Sequence, residues 1–289
     1  MLLCFVSTGR ADVILFTQET DGYWQLWATD LAGGEAIQLT TSPVDKRRPR
    51  LITSGPVIAY HTAQGGVRQL NLRDGTSRPL LEELGVLADV AADSTTERLA
   101  VTRLQSDLKD DSDLWSVRQD GSEPRRLTHL PGLQHAPTVS PDGARLVFVS
   151  GSGGKYDLWQ TSLVSDSEGG ELRQLTQTEA RELLPQFSPD GETVLYVSNA
   201  EGSYDLYAMR ADGSTPQRLT QHPGFESEPT WSPDGKSIAF AADWSGSLQI
   251  WIAQADGSNP RQLTHDERPA TQPLWLEGTL NSLRPEVAR

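Results

Sequence analysis

Three stretches of this chain repeat one unit. Residues 232–264 (SPDGKSIAFAADWSGSLQIWIAQADGSNPRQLT) restate residues 188–220 (SPDGETVLYVSNAEGSYDLYAMRADGSTPQRLT), 44 residues earlier. Residues 140–176 restate them again, 48 further back with a longer turn, and weaker echoes end at Leu127-Thr128 and Leu39-Thr40. A period of about 40–45 residues with strand-like content is the signature of propeller blades, in which each unit buries its apolar faces only against its neighbours.

One unit holds four strands, here called a to d. A Pro-x-apolar motif (Pro229, Trp231) opens strand a and runs into the turn Ser-Pro-Asp-Gly, where Pro pre-sets φ, Asp bonds nearby backbone and Gly takes positive φ. Strand b alternates about Ile238 and Phe240, a loop with Trp244 follows, strand c surrounds Trp251, Asp256-Gly257 signals a hairpin, and Arg261 to Thr264 form strand d. Strand b recurs near residues 14–16, 57–60, 99–101, 146–149, 194–197 and 238–240. The Pro of strand a recurs at 49, 137, 185, 229 and 273, with a degenerate copy without Pro near Asp89-Val90. The two counts agree at six but are out of phase, since the chain opens on a strand b and ends on a strand a. The expected fold is therefore all-β, a six-bladed propeller of four-stranded antiparallel blades over residues 12–276, closed when the C-terminal strand joins the first blade and removes both exposed edges.

Other signals are few. Helix is expected only as one turn near residues 82–87. Residues 277–289 are expected to form a frayed tail. Residues 1–11, apolar but without a basic start, are left between a signal remnant and an extra strand. There is no long apolar run that would span a membrane. A net charge of −14 disfavours nucleic acid and anionic membranes as partners. The one cysteine, Cys4, excludes an internal disulfide. A monomer is expected.

Antiparallel order sorts the loops. The a–b and c–d turns share one face and repeat, while the b–c and d–a loops share the other and differ in every blade. A binding site is expected on the variable face, at the mouth of the central channel. The candidates there are Arg47, Arg48, His135, Arg181, Glu182, Glu226, Glu228, Trp244 and Gln272, with Trp244 the proposed ligand contact and Trp231 a tryptophan buried between blades. His129, His222 and His265 occupy nearly equivalent positions, but no metal-binding motif includes them, so no cofactor is assigned and a divalent cation in the channel stays an open alternative. The acidic loop at residues 106–113 reads as solvated, and Tyr156-Asp157, Tyr204-Asp205, Trp115, Trp159 and Trp251 as blade packing. No nucleophile elbow, phosphate-binding glycine loop or His-Glu-x-x-His motif is present.

The unit Pro-x-Trp-Ser-Pro-Asp-Gly, Ile-Ala-Phe, Ile-Trp, Asp-Gly, Gln-Leu-Thr resembles the WD40-like propeller repeat of the TolB family, strongly in blades four to six and weakly in blades two and three. The resemblance implies a periplasmic or otherwise extracytoplasmic protein whose propeller binds a protein partner of the envelope at its channel mouth; a cytoplasmic location is the alternative. The α/β domain that precedes the propeller in that family has no counterpart in these residues. The repeat also occurs in peptidases with an added hydrolase domain and in oligogalacturonate lyases with a metal site in the propeller. Two functions are thus carried forward: a non-catalytic module binding a protein or peptide, and a small metal-dependent lyase or hydrolase acting on a saccharide or peptide. Fold alone does not separate them.

Overall fold

The structure, a computed structural model, describes residues 12–63, 66–92, 97–104, 111–164 and 170–286. The N-terminal segment with Cys4, and most of the acidic loop of blade three, lie outside them. The described chain forms six four-stranded antiparallel sheets. Blade six is typical, with strands Glu226–Trp231, Ser237–Ala242, Gln249–Gln254 and Arg261–Gln262. Ala270–Glu277 pairs antiparallel with Asp12–Thr20, so the last strand supplies strand a of blade one. The other strands a are Lys46–Leu51, Leu87–Ala92, Gln134–Val139 and Glu182–Phe187. Each strand a touches the next, and the sixth touches the first, which closes the ring around a central channel.

The core is divided six ways. Strand b of blade one shows why: Val13 and Leu15 face blade two, whereas Ile14 and Phe16 face blade six, and all four are at most 1% exposed. Period-two alternation therefore buries both faces of every blade, and each apolar cluster belongs to one pair of neighbours.

The Ser-Pro-Asp-Gly turn is a closed hydrogen-bond unit. In blade six the Ser232 hydroxyl donates to Asp234 Oδ1 (2.7 Å) and accepts from the Ser237 amide (2.9 Å). Asp234 Oδ1 also accepts from the Lys236 amide, and Gly235 completes the turn at φ 70°. Blades four and five repeat it at Ser140 and Ser188. The c–d turns interlock blades: Gly257 has φ 81°, and a Cβ there would overlap the Leu219 carbonyl of blade five.

Two expectations need correction. The tail does not fray at residue 277. Leu283 is buried, and the amides of Arg284 and Glu286 donate to the carbonyls of Leu72 (2.8 Å) and Leu39 (2.6 Å), strapping blades one and two together. The inner strands also begin earlier than their prolines suggest, so that Arg48, Glu228 and Gln272 lie within them rather than before them. Each occupies a β-bulge in the left-handed region (φ 53°, 53° and 55°), as do Ala136 and Leu184. The residue before every inner-strand proline thus takes one repeated, strained conformation.

Candidate functional site

The bulges wire the blades together around the channel. Gln272 of blade one donates its amide to Glu228 Oε2 of blade six (2.8 Å), and the Thr271 hydroxyl donates to the same oxygen. Gln272 Oε1 in turn accepts from the Arg48 amide of blade two (2.7 Å). The Arg48 guanidinium crosses to blade three, where it donates to Ala88 O (3.0 Å) and pairs with Asp89 Oδ1 (2.6 Å). Asp89 Oδ2 accepts from the Ala136 amide of blade four (3.0 Å). Ala136 and Leu184 carry no acceptor, and the chain of contacts stops there. Of the expected site residues, then, Arg48, Glu228 and Gln272 do come together at the channel.

Glu182 and Glu226 do not join them. Both stand three residues ahead of the proline, at a station that turns into the blade, and they are 2% and 0% exposed. Glu226 Oε2 accepts from Thr220 (2.6 Å) and Oε1 from the Trp244 indole (2.7 Å). Thr220 belongs to the repeated Leu-Thr, whose hydroxyl accepts from the strand c amide at 2.9 Å in five blades. Glu182 takes the same part toward Thr176 (3.3 Å) and also accepts from Thr178 (2.6 Å). In blade four the residue is Gln134, and in blade two Lys46, whose ammonium donates to the carbonyls of Ser42 and Val44. Burial pushes both carboxyls up, Glu226 to about 7, against the bonds from Thr220 and Trp244.

Both tryptophans are half-buried, and they are held differently. Trp231 is only half-buried, its indole donating to Gln186 O (3.3 Å). Trp244 is pinned by stacking on His222 (4.6 Å), by Phe240 and Trp251, and by its bond to Glu226. His135 meets Tyr156 edge-on (5.6 Å), and exposed Arg181 lies 5.7 Å over the same ring; burial pushes the His135 imidazole down. Arg47 lies 4.9 Å over Trp24 and pairs with Asp45 (3.3 Å). Tyr204 and Phe225 meet edge-on (5.8 Å). These groups form an aromatic and arginine collar on the variable face. His129 and His265 are exposed, and among the described residues no three His, Cys, Asp or Glu side chains gather in a way that would hold a metal ion.

Three channel residues escaped the sequence reading. Asp89 sits where blade three has no proline to mark the station. Arg50 and His61 look like ordinary strand residues; burial pushes His61 down to about 4. At the opposite, repeated face the channel widens into a cavity of about 750 Å³ walled by Leu51, Val139, Phe187, Trp231 and Leu276 and bounded by Leu283 of the tail.

The comparisons agree with this architecture. The family model of the TolB beta propeller domain matches residues 163–279. A TolB homolog from Chlorobium luteolum is 29% identical over 154 residues, 51% of this chain and 34% of that protein. The match therefore spans about a third of the curated relative. Among solved structures, TolB from Acinetobacter baumannii superposes with a TM-score of 0.77 at 18% identity, over 91% of this chain and 66% of that one. The putative TolB from Agrobacterium tumefaciens gives 0.68 at 19% identity, over 89% of both chains. With its six blades, its closing C-terminal strand and the Ser-Pro-Asp-Gly repeat, the chain carries a TolB-like β-propeller.

Proposed function

We propose that this propeller is a non-catalytic binding module that holds a segment of a protein partner at the variable-face mouth of its channel, in an extracytoplasmic compartment. The observation that carries the reading is the collar of Trp24/Arg47, His135/Tyr156/Arg181 and Tyr204/Phe225 around a mouth already fixed by bonds between blades. Aromatic and arginine side chains dominate the energy of protein interfaces, and a mouth held rigid loses little entropy when a partner docks. The net charge of −14 supports a partner with basic groups at the rim. The likeness to TolB supports the compartment.

The test is affinity capture from envelope and soluble fractions of a bacterium that carries a TolB homolog, such as Chlorobium luteolum, comparing wild type with Arg47→Ala/Arg181→Ala and with Glu192→Lys/Lys236→Glu on the opposite face. The collar variant is expected to lose at least about tenfold in capture, the worth of one interface anchor, while the opposite-face variant captures like wild type and both melt like wild type. The reverse pattern, or turnover of a saccharide or peptide by protein carrying a stoichiometric transition metal, would defeat the reading in favour of the enzyme.

A further inference from the structure

The inter-blade wiring at the channel is incomplete in one sector. The bulge amides of Gln272, Arg48 and Ala136 each donate to a side-chain acceptor from the preceding blade: Glu228, Gln272 and Asp89. The equivalent amides in blades five and six belong to Leu184 and Glu228, and the preceding stations are Ala136 and Leu184, which offer none. Among the described residues no side chain reaches either amide. Both residues hold the same left-handed bulge as their wired counterparts (φ 53° each), so both amides keep the presentation that elsewhere receives an acceptor.

A second observation is independent. Arg50, on the inner strand of blade two, makes one hydrogen bond, to the neighbouring Pro49 carbonyl (3.2 Å), and no carboxylate of the described residues lies within ion-pair distance. It is half-buried on the inner strand, and the carboxylates whose charge it feels are Asp89 of blade three and Glu228 of blade six. Those two acids are already engaged, Asp89 by Arg48 and the Ala136 amide, Glu228 by Thr271 and the Gln272 amide. A guanidinium has five N–H donors in a fork suited to a carboxylate.

We infer that the channel mouth takes one carboxylate of the partner segment, an aspartate or glutamate side chain, into the sector over Ala136 and Leu184, where the amides of Leu184 and Glu228 donate to its oxygens and Arg50 supplies the opposing charge. This rests on the binding reading above and specifies its ligand chemistry. The two amides stand at the same station of adjacent blades, each beside a preceding station without an acceptor, so the two oxygens of one carboxylate can serve one amide each; a rim that favours basic groups is compatible with a single acidic anchor at the centre. A ligand carboxylate would stand where Glu228 and Gln272 oxygens stand in the neighbouring blades.

The test uses two blocked pentapeptides, acetyl-Gly-Ala-Glu-Ala-Gly-amide and its glutamine counterpart, titrated into the ¹⁵N-labelled full chain. The glutamate peptide is expected to shift the Leu184 and Glu228 amides saturably, with Kd on the order of 1 mM for so small a ligand, and the glutamine peptide to bind about tenfold more weakly. Leu184→Gln supplies an internal acceptor to the Glu228 amide, as Gln272 does to that of Arg48, and is expected to weaken the glutamate peptide about tenfold. Arg50→Gln tests the charge without touching that sector and is expected to do the same. Equal affinity for the two peptides, shifts confined to other residues, or full affinity in either folded variant overturns the inference. Partner capture that survives both variants but fails in the collar variant overturns it while leaving the binding module standing; capture indifferent to the collar overturns the module instead.

Discussion

Replacing Glu226 with glutamine is expected to reverse sign with pH. The carboxyl is fully buried, holds Thr220 and Trp244, and has Asp205 nearby; its pKa rises from 4.5 to about 7. Between those values the folded protein retains a proton that the unfolded chain has released. Its stability is therefore highest below about pH 4.5, falls as the pH rises through 7 and is level above 8. At about 1.4 kcal/mol per unit the whole shift is worth about 3 kcal/mol, and screening through the half-buried Trp244 loop brings it to about 2 kcal/mol. Blade four shows what the amide does there: Gln134 Oε1 accepts from Thr128 (3.3 Å) and Nε2 donates to loop carbonyls. In the Glu226→Gln variant the new amide would keep the Thr220 bond and lose the one from Trp244, at a cost of about 1 kcal/mol at every pH. The variant is thus expected to be about 1 kcal/mol less stable than wild type at pH 4, about equal to it near pH 5 and about 1 kcal/mol more stable at pH 8. Urea denaturation of both proteins at intervals from pH 4 to 8 measures the difference, in which other titrating groups cancel. Parallel curves would show that the buried carboxyl does not carry the proton and would refute the reasoning.

Other outcomes follow from the same contacts. Gly257→Ala meets both positive φ and the Leu219 carbonyl, so about 2–3 kcal/mol should be lost in urea denaturation; a loss below about 1 kcal/mol would mean that the turn moves freely. Trp244→Ala should cost about 3–4 kcal/mol and Trp231→Ala about 1–2 kcal/mol, the opposite of the order expected from sequence, because Trp244 packs on three rings and Trp231 is half-open; paired melts decide it. Ending the chain at Ala270 removes the partner strand of Asp12–Thr20 together with buried Leu274, Trp275 and Leu276, so the product should aggregate or melt without cooperativity. A truncated protein melting cooperatively at the parent temperature would show that closure does not need this strand.

The fold was legible because its determinants are local and repeated: the Ser-Pro-Asp-Gly hydrogen bonds, the alternation in strand b and the out-of-phase count all survive in one dimension. The site was half legible, and the reason lies in one bulge. Simple alternation puts residues 226 and 228 on the same side of a strand, so Glu226 and Glu228 read as a pair facing the channel. The left-handed residue before Pro229 inserts one position and breaks the alternation, sending Glu226 into the blade and Glu228 around the channel. The same bulge separates Glu182 from the mouth. Trp244 was misjudged because a loop tryptophan looks exposed until the rings from strands b, c and the d–a loop that cover it are known. Asp89 was missed because its blade lacks the proline that marks the station elsewhere.

Repetition also supplies a way to sort residues by role. A feature found at the same station of most blades, such as the Leu-Thr hydroxyl under strand c or the polar group three residues before the proline, answers a need that every blade has. The left-handed bulge is one of these, for five inner strands share it. What varies is the side chain placed on it: Glu228, Gln272 and Arg48 reach the next blade, whereas Ala136 and Leu184 do not. Folding gives no reason for the difference, since the backbone is the same and an acceptor would satisfy one more amide in each case. Two adjacent omissions on one side of an otherwise wired ring are where the channel gives up internal bonds, and that sector is where a ligand has the most to gain by supplying them.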